Sequence, residues 1–156
     1  MTLSKNEVLP MFFRKQPIEK RLKKLAHQCQ SAKALCVMSA EFLSCPIAIL
    51  SMPSLPPTVP ALSLQYKNQY VILYKLALPL SVERSILHEL SHICLGHVDG
   101  VKIDLLAVIA GKTIFTDQQE RDAEKLANQL LAAITDVRVL LPHTDRVSAR
   151  FESLVG

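Results

Sequence analysis

The chain has 156 residues, of which 49% are hydrophobic and 21% are charged, and its formal net charge is +4. This balance excludes a disordered chain, and the length is that of one ordinary domain with a buried core. The least charged stretch, residues 34–66, contains five prolines and cannot cross a membrane as a helix. Charged residues interrupt the beginning of the chain, so no secretion signal is expected there. These features predict a cytoplasmic protein without a membrane partner.

An amphipathic helix is predicted near the beginning of the chain. Its apolar face consists of residues at helical spacing, namely Ile18, Leu22, Leu25, Ala26 and Cys29. The opposite face carries the basic cluster, defined as Lys20, Arg21, Lys23 and Lys24. No aromatic residue or nucleic-acid motif accompanies these charges, which favours a solvated helix face and no direct contact with nucleic acid. Binding of nucleic acid or of an acidic partner is the alternative.

The next part of the chain predicts a second helix, a strand and a loop in that order. The helix is expected over residues 31–43, so that residues 1–50 form a mainly helical N-terminal part. Residues 45–50 predict a short buried strand, and residues 51–60 contain too many prolines for a helix and predict an extended loop. The four cysteines of the chain include no C-x-x-C pair. They are therefore interpreted as reduced, small apolar residues, with zinc binding as the alternative.

Residues 61–74 predict an antiparallel β-hairpin. In the first strand Leu62, Leu64 and Tyr66 alternate with Ala61, Ser63 and Gln65, which is the pattern of a half-buried strand. Residues 67–69 are turn-like, and residues 70–74 are rich in residues that favour strands. Together with the helices, this hairpin predicts an α+β fold.

The stretch that carries chemistry is residues 88–97, which read H-E-L-S-H-I-C-L-G-H and begin with an H-E-x-x-H motif. On an α-helix His88 and His92 project about 40° apart, so both imidazoles can bind one metal ion. Glu89 lies at the flank of this pair, where it can reach a water molecule beside the metal more easily than the metal itself. Zinc is the expected ion, because neutral imidazole suits it and it imposes little geometry.

The helix that carries this motif is predicted to run from about residue 82 to 96. Ser81 is a favourable N-cap, and Gly96 is a plausible terminator. The residues expected to pack on the core lie opposite the two histidines, namely Val82, Ile86, Leu90 and Ile93. The side that carries the histidines should therefore face a cleft.

The chain after the H-E-x-x-H motif gives predictions of different strength. Residues 98–115 fit a short helix and an irregular cover equally well. A helix is predicted over 117–133, with Thr116 or Asp117 as N-cap and Gln119 or Glu120 as capping-box partner. A short helix is predicted over 144–155, capped near residue 144 or 145.

A catalytic zinc ion needs a third protein ligand, and Glu120 is the best candidate. On a helical wheel it lies inside the apolar stripe of the 117–133 helix, where a carboxylate is costly unless it is paired or bound to a metal. The alternative is an acid in the first turn that interacts favourably with the helix N-terminus. Asp122 and Glu124 lie roughly 90–110° from the centre of that stripe. His97 is the competing candidate for the third ligand. If the helix ends at Gly96, however, the chain has only one residue in which to bring His97 back to the metal. Its alternative role is a favourable interaction with the helix dipole.

The motif H-E-L-S-H-I-C-L-G-H, followed by E-R-D-A-E-K-L-A-N-Q-L-L, resembles the ImmA/IrrE family of metallopeptidases. The likeness covers residues 60–133, which form the expected metal-site core, and it places Glu120 on a zinc ligand of that family. It implies a single small zincin-like domain of the gluzincin type over residues 1–156. It also implies a hydrolase that promotes cleavage of helix-turn-helix repressors. Leu126 and Glu124 depart from the usual family residues at their positions.

These patterns predict a zinc-dependent endopeptidase with His88, His92 and Glu120 as metal ligands and Glu89 as general base. His143, Tyr70 and Tyr74 are candidate oxyanion donors, each with a structural role as the alternative. The strand before the H-E-x-x-H helix is expected to pair with an extended substrate. A metal-dependent interaction module without protease activity is the competing function, and a chance motif on a structural helix is the third possibility.

Overall fold

The structure is a computed structural model that describes residues 16–140. The helix predicted over 144–155, together with His143, lies outside the described residues. Within residues 16–140, no helix is both long enough and apolar enough to span a membrane. The described part contains five α-helices and a three-stranded sheet, which is the α+β class that the sequence predicts.

Two helices precede the sheet. Helix α1 spans Ile18–Ala26 and therefore ends three residues before Cys29, the last residue of the predicted apolar face. Cys29 is nevertheless buried. Helix α2 spans Ala32–Leu43 and begins at Ser31, whose hydroxyl accepts a hydrogen bond from the Ala34 amide at 3.1 Å. Both helices contribute to the core that also contains the H-E-x-x-H helix.

The sheet has the strand order β1-β3-β2. Strand β1 spans Ile47–Ser51, β2 spans Ala61–Tyr66 and β3 spans Gln69–Tyr74. Strands β2 and β3 form the predicted antiparallel hairpin, whereas β1 pairs with β3 in parallel. The strand before the H-E-x-x-H helix is thus the central one. The expectation that this strand pairs with a substrate is wrong, because both of its edges are already paired.

The two faces of β2 are the reverse of what the apolar pattern suggests. Ala61 and Ser63 are buried, whereas Leu62 and Leu64 are only half-buried and Tyr66 is 54% exposed. Alternation along a strand defines two faces but does not say which one is turned inward. Here the inward face meets the H-E-x-x-H helix, where Ser63 has a polar partner described below.

Helix α3 spans Pro79–Cys94 and carries the H-E-x-x-H motif. The predicted N-cap at Ser81 is wrong, because the cap lies three residues earlier at Leu78 and the helix begins at Pro79. Proline is favourable there, since its fixed φ suits a helix and its missing N–H would be unpaired in any case. Ile86, Leu90 and Ile93 are buried as predicted, and Val82 packs at the edge of the core.

Helix α3 ends in a tight turn at Gly96. The residue has a φ of +78°, which glycine adopts without the cost that a side chain would add. The Gly96 amide donates to the Ile93 carbonyl at 3.1 Å, and the His97 amide donates to the His92 carbonyl at 3.0 Å. These two bonds form a Schellman motif. The turn therefore directs the chain back along the helix and brings His97 beside His92.

Two further helices complete the described chain. Residues 98–115, for which the sequence favours neither a helix nor irregular chain, contain a short helix, α4, at Leu105–Ile109 with irregular chain on both sides. Helix α5 spans Asp117–Leu140 and extends seven residues beyond its predicted end at 133. Thr116 and Gln119 form the predicted capping box, with two reciprocal 3.1 Å hydrogen bonds between side chain and backbone. Helix α5 packs along α3, which positions its first turn beside the motif histidines.

Candidate metal centre

Two histidines and a glutamate converge between α3 and α5. The Nε2 atoms of His88 and His92 lie 3.1 Å apart on the same face of α3. From the first turn of α5, Glu120 places Oε2 3.1 Å from His88 Nε2 and Oε1 3.4 Å from His92 Nε2. One ligand atom from each residue lies within 4.8 Å of the others, so this group could hold a metal ion.

The spacing and chemistry of these atoms fit a small divalent cation. Ligand atoms about 2.0–2.1 Å from a zinc ion at tetrahedral angles lie about 3.3–3.4 Å apart. The two Nε2 atoms are 3.1 Å apart, and each has a Glu120 oxygen at a similar distance, Oε2 for His88 and Oε1 for His92. His88 Nδ1 lies 3.0 Å from Glu124 Oε2, and an ionised carboxylate can only accept a hydrogen bond. His88 Nε2 likewise faces a carboxylate oxygen, Glu120 Oε2, at 3.1 Å. In the tautomer that donates from Nδ1 to Glu124, the lone pair of Nε2 is free for a cation and points toward Glu120. A cation at that point would relieve the repulsion between these electron-rich atoms.

Each motif histidine also has a partner on its second ring nitrogen. His88 Nδ1 contacts Glu124, which in turn forms a 3.6 Å ion pair with Arg84. His92 Nδ1 lies 2.9 Å from His97 Nδ1. Such contacts fix the ring orientation and the tautomer of a histidine that binds metal. Glu124 and His97 thus contact the second ring nitrogens of the motif histidines, which the helical wheel did not identify.

His92 is the most enclosed member of the group. Its side chain is fully buried, and its ring stacks on Phe115 with centroids 3.7 Å apart and planes inclined by 14°. Burial lowers the pKa of His92 to about 3, and the neighbouring His88 and His97 act in the same direction. The imidazole is therefore neutral near pH 7, as a metal ligand must be.

Glu89 lies beside the histidines and is also buried. Its Oε2 accepts a hydrogen bond from the Ser63 hydroxyl at 2.5 Å, across the contact between α3 and β2. Burial raises the pKa of Glu89, while the Ser63 hydrogen bond and the nearby His88 oppose this shift. A raised pKa brings a carboxylate closer to the range in which it can both accept and return a proton. Sequence reasoning missed Ser63, because a serine flanked by leucines carries no signal for this contact.

The carboxylate of Glu120 is oriented by the chain that precedes α5. Thr113 donates a hydrogen bond from Oγ1 to Glu120 Oε1 at 2.8 Å. The same threonine oxygen accepts a hydrogen bond from the Phe115 amide at 3.1 Å. One short segment therefore both directs the Glu120 carboxylate and places the ring that stacks on His92.

The group opens into a cleft of about 250 Å³. His88, Glu89 and Glu120 line it together with two chain segments, whose lining residues are Thr58, Val59, Pro60, Ala61 and Leu62 on one side and Val108, Gly111, Lys112, Thr113, Ile114 and Phe115 on the other. Both segments offer mainly apolar surface. Strand β2 adjoins the cleft and is an edge strand, because in the described chain its only strand partner is β3.

Other residues singled out in the sequence lie apart from the group. Asp122 is exposed and accepts a hydrogen bond from Gln118. Tyr70 donates to Asp99 at 2.6 Å, and the ring of Tyr74 lies below the Lys33 ammonium, so neither tyrosine lines the cleft. The four cysteines are free thiols and none belongs to the metal group.

The basic cluster on α1 is also separate from the cleft. Lys20 and Lys24 are exposed, and the Arg21 guanidinium packs 4.0 Å above the centre of the Phe42 ring. This packing accounts for one member of the cluster by contacts within the protein. Its interpretation as a solvated face stays a prediction.

Comparison with known proteins gives no further assignment. Neither the protein-family models, nor the curated proteins, nor the solved structures contain a match to this chain. The candidate centre therefore rests on its residues and their geometry.

Proposed function

We propose that the protein is a zinc-dependent endopeptidase of zincin-like arrangement, with Zn²⁺ held by His88, His92 and Glu120. The observation that carries this proposal is that Glu89 lines the same cleft as His88 and Glu120, while it remains outside the ligand group. A purely structural metal site would not require an additional buried carboxylate at its border. A carboxylate beside such a site is suited to general-base chemistry on a peptide substrate.

The roles of the chain's own residues follow from their positions. Zinc would supply Lewis acidity, which polarises the scissile carbonyl and activates water. Glu89 would accept the proton of the attacking water at its carboxylate and later donate it to the leaving amine. Ser63 would hold that carboxylate in place through its hydrogen bond. Thr113 would orient Glu120, and the apolar walls of the cleft would exclude bulk water.

An extended peptide would be bound along β2 in this proposal. This strand has an edge without a strand partner in the described chain and provides Ala61 and Leu62 to the cleft wall. Main-chain hydrogen bonds to such an edge are independent of sequence and align a peptide beside the strand. Apolar side chains of the substrate would contact Val108, Ile114 and Phe115 on the opposite wall.

The proposed substrate is a regulatory protein, specifically a helix-turn-helix transcriptional repressor. This part of the proposal rests on the resemblance of the motifs at 88–97 and 120–131 to the ImmA/IrrE family. The chemistry of the cleft is compatible with it, because a mainly apolar site suits an unfolded or extended segment of a protein.

Cleavage of defined probes tests the proposed activity. Zinc-loaded protein is incubated with purified helix-turn-helix repressors and with a proteome-derived peptide library, and new peptide termini are identified by mass spectrometry. The proposal predicts cleavage that chelator removes and zinc restores. Glu89→Gln should retain zinc but lose about 10²-fold or more of the rate. Equal cleavage by Glu89→Gln, or the absence of zinc-dependent cleavage, would overturn it.

The competing function is a metal-binding interaction module that does not cut its partner. Under that hypothesis the same repressors would bind in a zinc-dependent manner and no fragments would appear. Glu89→Gln would then bind as tightly as the unchanged protein, because no proton transfer is involved. The two functions are therefore separated by the same set of incubations.

A further inference from the structure

The second nitrogen of His92 has an unusual partner, which is another histidine. His92 Nδ1 and His97 Nδ1 lie 2.9 Å apart. We propose that His97 is a positioning residue: it accepts a hydrogen bond from His92 Nδ1–H and thereby keeps the lone pair of His92 Nε2 available to the metal. This inference rests on the proposed metal centre and assigns to His97 a role other than that of a ligand.

Only one arrangement of protons makes this contact compatible with metal binding. Two neutral imidazoles at this distance share one hydrogen, so one ring donates and the other accepts. If His97 donated, His92 would carry its own proton on Nε2, which faces His88 Nε2 at 3.1 Å and Glu120 Oε1 at 3.4 Å. A protonated Nε2 cannot bind a metal. His97 must therefore accept, and its own proton lies on its Nε2.

The backbone fixes His97 in the position that this role requires. The Schellman turn at Gly96 joins the same two residues a second time, through the His97 amide and the His92 carbonyl at 3.0 Å. On another side of His92, Phe115 stacks against the ring at 3.7 Å between centroids. The His92 ring is thus held by a hydrogen bond at its edge and by a stacked ring on its face. The Schellman turn at Gly96 thus fixes the position of His97 relative to His92.

Because His92 is buried, its Nδ1–H group depends on an acceptor within the protein. The side chain of His92 has no exposed surface, and His97 Nδ1 is the described partner of its Nδ1 atom. A buried N–H group that loses its acceptor is destabilised, and the tautomer with the proton on Nε2 becomes competitive. By comparison, His88 is partly exposed, so solvent can replace Glu124 at its Nδ1. We therefore expect His97 to matter for the zinc affinity.

Zinc affinity across a set of variants tests the proposal. Dissociation constants are measured by competition with a zinc-chelating dye for the unchanged protein, His97→Ala, His97→Asn and the control His27→Ala. His27 is an exposed histidine at the end of α1. His97→Ala should weaken zinc binding about 10- to 100-fold. His97→Asn should restore most of the affinity, because Oδ1 of asparagine lies as many bonds from Cβ as Nδ1 of histidine and can accept the same hydrogen bond.

The hydrogen bond itself provides a readout besides affinity. In ¹⁵N-labelled, zinc-loaded protein at pH 8, NMR should find a His92 Nδ1–H that exchanges slowly with solvent and couples to His97 Nδ1. In His97→Ala this proton should exchange faster, whereas His97→Asn should retain the slow exchange. Thermal unfolding of each variant establishes that it is folded before these measurements are compared.

The outcomes separate this inference from the proposed function. If the unchanged protein binds no zinc, the proposed metal centre is wrong and the inference fails with it. If the unchanged protein binds zinc and folded His97→Ala binds it equally tightly, only the role of His97 is wrong. A His92 Nδ1–H that shows no coupling to His97 Nδ1 in the zinc-loaded, unchanged protein would also overturn the role of His97.

Discussion

Ser63 Oγ donates a hydrogen bond to Glu89 Oε2 at 2.5 Å, and both side chains are buried between β2 and α3. This contact joins an edge strand to the proposed general base. It also explains why a serine, and not a neighbouring leucine, occupies the inward face of β2. A buried carboxylate needs such a donor, because burial without hydrogen bonds strongly disfavours its charged form.

We expect Ser63→Ala to impair catalysis without removing the metal. The Glu89 carboxylate would lose its hydroxyl donor and keep the backbone hydrogen bond of the same residue. Removing one partner of a buried hydrogen bond costs about 1–3 kcal/mol. The rate of peptide cleavage should fall, while the zinc content stays at the level of the unchanged protein. Ser91→Ala is the matched control, because Ser91 is equally buried but bonds to the Leu87 carbonyl. Equal rates for both variants would show that Ser63 does not support Glu89.

The sequence allowed part of this site to be predicted, and the limits have physical reasons. The spacing of His88 and His92, and the position of Glu120 within an apolar stripe, follow from helical geometry, and the structure brings these three residues together. Ser63 could not be found in this way, because alternation along a strand does not identify the inward face when both faces carry small or apolar residues.

His97 shows a second limit. A helical projection applies only to residues within the helix, and His97 follows the αL residue Gly96. The sequence identifies the glycine as a terminator, but the direction of the chain after it depends on the two Schellman hydrogen bonds. The parallel pairing of β1 with β3 was missed for a related reason: it joins residues more than twenty positions apart, and short-range patterns contain no information about such contacts.

The stability of the metal-free protein should depend on the protonation of His92. The pKa of His92 is lowered from 6.5 to about 3, chiefly by burial. Between these values the unfolded chain binds a proton that the folded protein does not, so the free energy of unfolding decreases as the pH falls from 6.5 towards 3. The slope due to one proton is at most about 1.4 kcal/mol per pH unit.

Urea unfolding of chelator-treated protein at several pH values measures this dependence. His92→Gln should have a smaller slope than the unchanged protein, because glutamine does not titrate. The raised pKa of Glu89 acts in the opposite direction, since folded protein then retains a proton that the unfolded chain releases. This contribution is present in both proteins and cancels in their difference. Identical slopes would contradict a buried, neutral His92.

The cysteines should differ strongly in their reactivity towards a thiol reagent. Cys29, Cys36 and Cys94 are buried, and burial raises the pKa of each thiol, to about 12 for Cys36. The thiolate is the reactive form, so these three should react slowly at pH 8. Cys45 is partly exposed and should react first. A disulfide-exchange assay should find one fast thiol in the native protein, four in denaturant, and no fast thiol in Cys45→Ser.

Zinc content measured after exhaustive dialysis tests the central claim most directly. The unchanged protein and Asp122→Asn should each retain one zinc ion per chain, because Asp122 bonds to Gln118 and lies outside the ligand group. His92→Ala and Glu120→Gln should both lose most of the metal, since the two remaining ligands hold zinc poorly. A full equivalent of zinc in Glu120→Gln, or its loss in Asp122→Asn, would contradict the assignment of His88, His92 and Glu120 as the metal centre.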